Sequence, residues 1–251
     1  DLVGSNAAVW RIQHNVLHHA YTNIQNTDED INGIPFLLRF SPHQKRYKIH
    51  RFQFLYAWFF YGLMTLMRVF YSDFVQLFKF KKESHFRSEK EFRKELFILI
   101  FSKSIYFIYV LVIPAFVLPV SFGFILLCFL SMHFIAGFIL AVIFQTAHIM
   151  PELEFPIPDK TGKIDNNWAV HELVTTANFA PKSRILSWCI GGLNFQVEHH
   201  LFTNICHVHY KKLSPIVKKT AEEYGLPYHC HKTFLGALLN HTKMLKNLGK
   251  A

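Results

Sequence analysis

The residues best equipped for chemistry in this chain are histidines set in pairs. His14, His18 and His19 fall within six residues in HNVLHHAYTNI, and His199 and His200 stand side by side in NFQVEHHLF. His148 adds another in QTAHIMPE, directly after a long apolar run. The 251 residues hold 16 His against 17 Asp plus Glu, so imidazole rivals all carboxylates together. Imidazole suits zinc, copper, nickel and iron, and helix packing has no use for adjacent imidazoles placed twice. Metal ligation is the expected role.

The spacing refines this expectation. On an α-helix successive residues lie about 100° apart, so His14 and His18 share a face while His19 points elsewhere. Such a segment can serve two metals, or one metal and a supporting contact. In QVEHH, Gln196, His199 and His200 stand at i, i+3 and i+4 on one face. The HExxH pattern of zinc hydrolases is absent, because Asn15 follows His14. Structural zinc takes four ligands, often cysteines. Six histidines point to two metals, and a non-haem di-iron centre at a membrane surface accounts for both number and place. The isolated His43, His50, His85, His229, His231 and His241 are read as surface or loop residues, and His133, within an apolar run, as a satisfied buried histidine.

Something must hold these segments together, and the composition says what. Hydrophobic residues make up 51% of the chain, with 27 Phe, yet the net charge is +10. The Lys and Arg bracket apolar runs rather than forming one continuous patch, which favours a membrane protein with cationic loops over nucleic-acid binding. Three stretches are long enough for a membrane helix: residues 52–71, 96–120 and 122–145. The last two make a hairpin whose uncharged turn lies near Pro119 and Ser121. The first is basic on both flanks and carries Arg68, a costly charge inside a bilayer. It is read as interfacial or re-entrant, which leaves an even number of crossings between the two histidine pairs and one cytoplasmic face for all of them. KKLSPIVKKTAEEYG reads as a helix stopped at Gly225. Cys128, Cys189, Cys206 and Cys230 form no CxxC pair and imply no disulfide framework. DLVGSNAAVW reads as the end of a helix. The expected class is an all-α integral membrane protein: a transmembrane helical hairpin with a cytoplasmic, histidine-rich helical cap.

HNVLHHAYTNIQNTDEDI, FQTAHIMPE and NFQVEHHLF resemble the histidine boxes of the membrane fatty acid desaturases. Gln196, in place of the first histidine of the last box, is similar to the front-end subgroup, typified by linoleoyl-CoA (delta-6 type) enzymes and closest in character to bacterial members. The resemblance runs from about Asp1 to Tyr210. It implies a single desaturase domain over residues 1–251 that lacks its N-terminal part, namely the first histidine box and first membrane hairpin, and so is inactive alone. It also implies two non-haem irons held by His14, His18, His19, His148, His199 and His200, with Gln196 in or beside the ligand set. Asp28, Asp30 and Gln145 would support the imidazoles by hydrogen bonding. The implied reaction uses O2 and two electrons to convert adjacent methylenes of a fatty acyl chain to a cis double bond and water. The partners would be an acyl-CoA or acyl-lipid substrate, membrane lipid, and cytochrome b5 or a ferredoxin as electron donor, with no nucleic acid.

Rival readings make distinct demands. A related membrane di-iron hydroxylase would use the same histidines and differ only in product. A metal transporter would place its ligands midway through the bilayer, where this chain has only His133 and Lys103. A plain membrane anchor leaves the histidine pairs without a purpose.

Overall fold

The computed structural model describes residues 1 and 3–250. By their internal contacts they form two units, Asp1–Val16 with Trp58–Ala141, and Leu17–Ala57 with Val142–Ala251.

The first unit opens on a helix start rather than a helix end. The Asn6 side chain accepts from the Val9 N–H at 2.9 Å, the capping bond that satisfies an orphan donor of the first turn. The expectation that DLVGSNAAVW ends a helix is therefore corrected. Gly4, at φ +80°, belongs to the turn leading into Asn6. The helix Ala7–Trp10 then widens into π-helical turns over Arg11–His18.

Two helices are long and apolar enough to cross a membrane: Glu89–Val117, in this unit, with 29 residues, and Phe122–His148, which continues from this unit into the second, with 27. At 1.5 Å per residue each reaches about 40 Å, beyond the roughly 30 Å of hydrocarbon to be spanned. The first starts earlier than its apolar run because the Ser88 hydroxyl caps Glu91 N–H and the charged turn continues into the apolar part. Phe97, Phe116 and Ile135 point outward, Phe116 at 87% exposure, an apolar surface suited to lipid. Phe52–Tyr71 is no straight crossing: Lys48–Gly62 and Met64–Lys82 meet at 56°. Gly137 lies so close to the Gly62 carbonyl that a Cβ would sit 2.7 Å from the oxygen, a small-residue contact typical of membrane helices.

Several polar groups of the first unit are engaged with protein atoms. Lys103 Nζ donates to Asp73 Oδ2 at 3.0 Å and to the Gly4 carbonyl at 2.9 Å. Arg68 reaches Asp73 Oδ1 at 3.2 Å. The Tyr106 hydroxyl and His133 Nε2 are 2.6 Å apart, and His133 Nδ1 lies 3.2 Å from Thr65 Oγ1. His133 is buried and satisfied, as expected.

The second unit packs short helices around the histidine segments. Its core joins Ile143, Ala147, Met150 and Leu153 to Ala177, Phe179 and Ala237. Leu173, Val197, Val217 and Ala221 form a second cluster. Among the described residues the only sheet is a parallel pair, Ala177–Phe179 with His229–His231, in register Ala177 to His229. Tyr210–Glu223 is helical, and Gly225 follows at φ +66°, the left-handed stop that the sequence signalled. His50 and His241 are fully buried, which corrects their reading as surface or loop residues. His241 lies in the closing helix Phe234–Lys250, its Nδ1 2.9 Å from the Ile149 carbonyl.

Candidate metal centre

Three residues of the second unit bring their imidazoles to one point. His18 ends the π-helical turns, His148 ends the long apolar helix, and His200 lies in the helix Gln196–Leu201. One ring nitrogen from each lies within 4.8 Å of those of the other two, and all three side chains are buried. His18 and His148 meet edge-on at 4.7 Å between ring centroids, and His148 and His200 lie 4.8 Å apart.

The outer nitrogen of each ring is occupied. His18 Nδ1 is 3.1 Å from Asp28 Oδ1 and 3.5 Å from Asp30 Oδ2. His200 Nδ1 is 2.7 Å from Glu172 Oε2. His148 Nδ1 faces the Thr175 carbonyl at 3.4 Å, the longest of the three. An imidazole that donates from Nδ1 carries its lone pair on Nε2. Nε2 of His148 and of His200 are buried without a hydrogen-bond partner. Buried nitrogens are normally paired, so inward lone pairs backed by two buried carboxylates make a fitting receptor for a cation. The site is all-imidazole, a donor set shared by zinc, copper, nickel and iron.

His19 and His199 lie beside this cluster. Their ring centroids are 4.6 Å apart, and His19 stacks on His200 at 4.3 Å. Burial, then the neighbouring His199 and His18, push His19 down to about 2, and burial followed by His18 takes His199 to about 4. Both are neutral and able to donate a lone pair. Burial also tends to lower His18, but Asp28 and Asp30 outweigh it and raise the ring to about 9. A cation at this ring would take the place of that proton.

The remaining sequence-derived residues fall as follows. His14 belongs to the first unit, buried and stacked on Trp10 at 4.6 Å. Asp28 is wholly buried and also accepts from the Asn23 N–H at 2.9 Å and the Asp30 N–H at 3.0 Å. Gln145 donates to the Asp30 carbonyl at 3.2 Å, touching the backbone of the helix Glu29–Asn32 rather than a ring. Gln196 opens its helix, buried, with Nε2 unpartnered.

Sequence reasoning missed Glu172, Thr22 and Asn23. Glu172 and Thr22 are fully buried against His200. Asn23 takes a left-handed φ of 61°, tolerable for Asn, and its amide donates to the His148 carbonyl at 2.9 Å. The one available signal for Asn23 was its place inside the first histidine segment.

Helices fit for a membrane and a cluster of buried imidazoles define a histidine-rich integral membrane protein. Residues 2–232 match the fatty acid desaturase family, and the chain belongs to it. It is 37% identical over 250 residues to an acyl-lipid (8-3)-desaturase of Physcomitrium patens, covering 99% of this chain and 52% of the relative. It is also 37% identical over 257 residues to the sn-1 linoleoyl-lipid 6-desaturase of a Synechocystis species, covering 100% of this chain and 69% of the relative. An acyl-lipid (8-3)-desaturase of Mortierella alpina is 33% identical over 247 residues, at 98% and 55% coverage. The chain thus spans between about half and two thirds of the length of these curated relatives. No solved structure matches it.

Proposed function

We propose that this chain carries the catalytic centre of an oxygen-dependent fatty acyl desaturase of front-end type, working at a non-haem di-iron site. The observation that carries the reading is the convergence of His18, His148 and His200, each with Nδ1 engaged, and with Nε2 of His148 and of His200 buried without a hydrogen-bond partner. His18, His148 and His200 would hold one iron, while His19 and His199 are assigned to the second, with Gln196 beside the ligands. The iron centre, when bound, supplies the oxygen-derived oxidant needed to break unactivated C–H bonds, which side chains alone cannot do.

The residues of the chain do the rest. Asp28 and Asp30 hold the Nδ1 proton of His18, and the Thr175 carbonyl orients His148. Burial of the imidazoles keeps bulk water from the oxidant. In balance, one –CH2–CH2– unit, O2, two electrons and two protons give one –CH=CH– unit and two waters. The electrons come from cytochrome b5 or a ferredoxin. The names of the relatives favour an acyl chain carried on a lipid over acyl-CoA.

The active face is assigned to the cytoplasm, supported by the basic segment from Lys79 to Lys94 next to the first membrane helix and the uncharged turn at Ser121. The full-length protein, expressed in a host fed linoleoyl lipid, is expected to yield a product with one more cis double bond by mass spectrometry. A hydroxylated product, or none above the His200→Ala background, would count against the proposal.

A further inference from the structure

The helix Trp168–Thr175 contains none of the histidine segments described above, yet it contacts three of them. The Trp168 indole Nε1 donates to the His19 carbonyl at 2.9 Å. Glu172 Oε2 lies 2.7 Å from His200 Nδ1, and the Thr175 carbonyl faces His148 Nδ1 at 3.4 Å. The helix begins cleanly, with the Asn167 side chain accepting from the Val170 N–H at 3.1 Å. From Glu172 to Thr175 all its residues are buried.

Glu172 is the informative member. A carboxylate shut away from water is costly unless paired, and Leu173 and Val174 beside it are ordinary core residues. Nothing in core packing asks for an acid at this position. Its Oε2 accepts from His200 and lies 2.9 Å from Thr22 Oγ1, whose single proton is shared with the His18 carbonyl at 2.7 Å. Its Oε1 has no hydrogen-bond partner. With Nδ1–H given to Glu172, the His200 ring must present Nε2 as a lone pair, and that nitrogen is the unpartnered one facing His148 and His18. A carboxylate hydrogen-bonded behind an imidazole fixes its tautomer and rotation and makes it a stronger donor.

We infer that Glu172, presented by the helix Trp168–Thr175, is a positioning residue that sets His200 for metal binding, the counterpart on the last histidine segment of Asp28 on the first. The inference rests on the metal reading of the His18, His148 and His200 cluster. Glu172 is not a ligand here: its bond goes to the ring nitrogen directed away from the cluster. Its influence on the metal passes through one imidazole.

The test is a titration of the full chain in lipid nanodiscs with ferrous iron, and with cobalt(II) for its visible spectrum, comparing wild type with Glu172→Gln. Glutamine can still accept from Nδ1 but removes the charge, so affinity is expected to fall by roughly 10–100-fold. At saturating cobalt the visible bands are expected to shift, which a merely structural role would not produce. Glu172→Asp retains the charge at shorter reach and should bind between the two. Affinity within twofold of wild type with an unchanged spectrum would overturn the inference while leaving the metal site standing. Wild type taking up no metal would overturn the site reading itself, and this inference with it. Should Glu172→Gln fail to accumulate, Glu172→Asp decides by the same criterion, since wild-type affinity and spectrum in that variant also overturn the proposal.

Discussion

Replacing Asp28 by Asn keeps the shape of the side chain and removes its charge, which isolates what the carboxylate does. Three donors converge on Asp28: His18 Nδ1 at 3.1 Å and the Asp30 N–H at 3.0 Å on Oδ1, and the Asn23 N–H at 2.9 Å on Oδ2. An amide has oxygen on one side only. Turned to keep His18 and Asp30, it sets its NH2 against the Asn23 N–H and leaves a buried donor unsatisfied, at about 1–3 kcal/mol. The bond to His18 also loses charge assistance, worth about 1 kcal/mol more. The helix Glu29–Asn32 that Asp28 caps is not at stake, because Asn caps as well as Asp. The metal-free protein should therefore lose about 2–4 kcal/mol of stability, and iron affinity should fall by roughly 10–100-fold. Denaturant titration of the metal-free chain in detergent and an iron-binding titration read the two effects separately. If Asp28→Asn bound iron within twofold of wild type and lost under about 0.5 kcal/mol, Asp28 would not be supporting His18 and the reasoning would fail.

Other consequences are equally open to measurement. Gly137→Ala gains about 1 kcal/mol of helix propensity, but its Cβ would meet the Gly62 carbonyl at 2.7 Å, and backbone that must shift costs about 1–3 kcal/mol; a lower thermal midpoint in detergent is expected, and a higher one would show that the contact is loose. His241 is held down to about 4 by burial, which the hydrogen bond to Ile149 only partly offsets, so the unfolded chain takes the proton first. Its stabilisation is complete above about pH 6.5 and shrinks as pH falls towards 4, by about 3 kcal/mol in all, and His241→Gln should flatten that acid limb; an unaltered limb would assign the acid sensitivity elsewhere. Gln196→Ala in the full-length protein should abolish desaturation while insertion is unchanged, and near-normal turnover would remove Gln196 from the site. In a background lacking the four native cysteines, Ser121→Cys should react with an impermeant thiol reagent from outside; labelling of Lys82→Cys instead would invert the topology.

Much of this architecture was legible because it rests on local chemistry. Apolar runs of membrane length have few alternatives, and they became Glu89–Val117 and Phe122–His148. Gly225 marked a helix end for a steric reason that acts within a few residues. The six histidines stood out by spacing, and Asp28 by nearness in sequence to His18. The geometry of the first histidine segment was less accessible. An i, i+4 argument presumes α-helical turns, whereas Arg11–His18 is wound as a π-helix with i to i+5 bonds, a local widening often found at functional sites. Glu172 was hidden for a different reason. It is the single acid of the helix Trp168–Thr175, and its meaning comes from Thr22, 150 residues earlier, and His200, 28 residues later. DLVGSNAAVW was misread as a helix end because the capping bond from the Val9 N–H to Asn6 is not visible in the sequence.

The central claim, that buried imidazoles of this chain hold iron, is tested most directly by metal analysis of the purified full-length protein beside its His200→Ala variant. The account predicts two irons per chain in the wild type. It predicts a loss of at least one in His200→Ala, with the variant still inserted and helical. Wild-type protein holding less than one iron, or a folded His200→Ala protein that retains both, would contradict it.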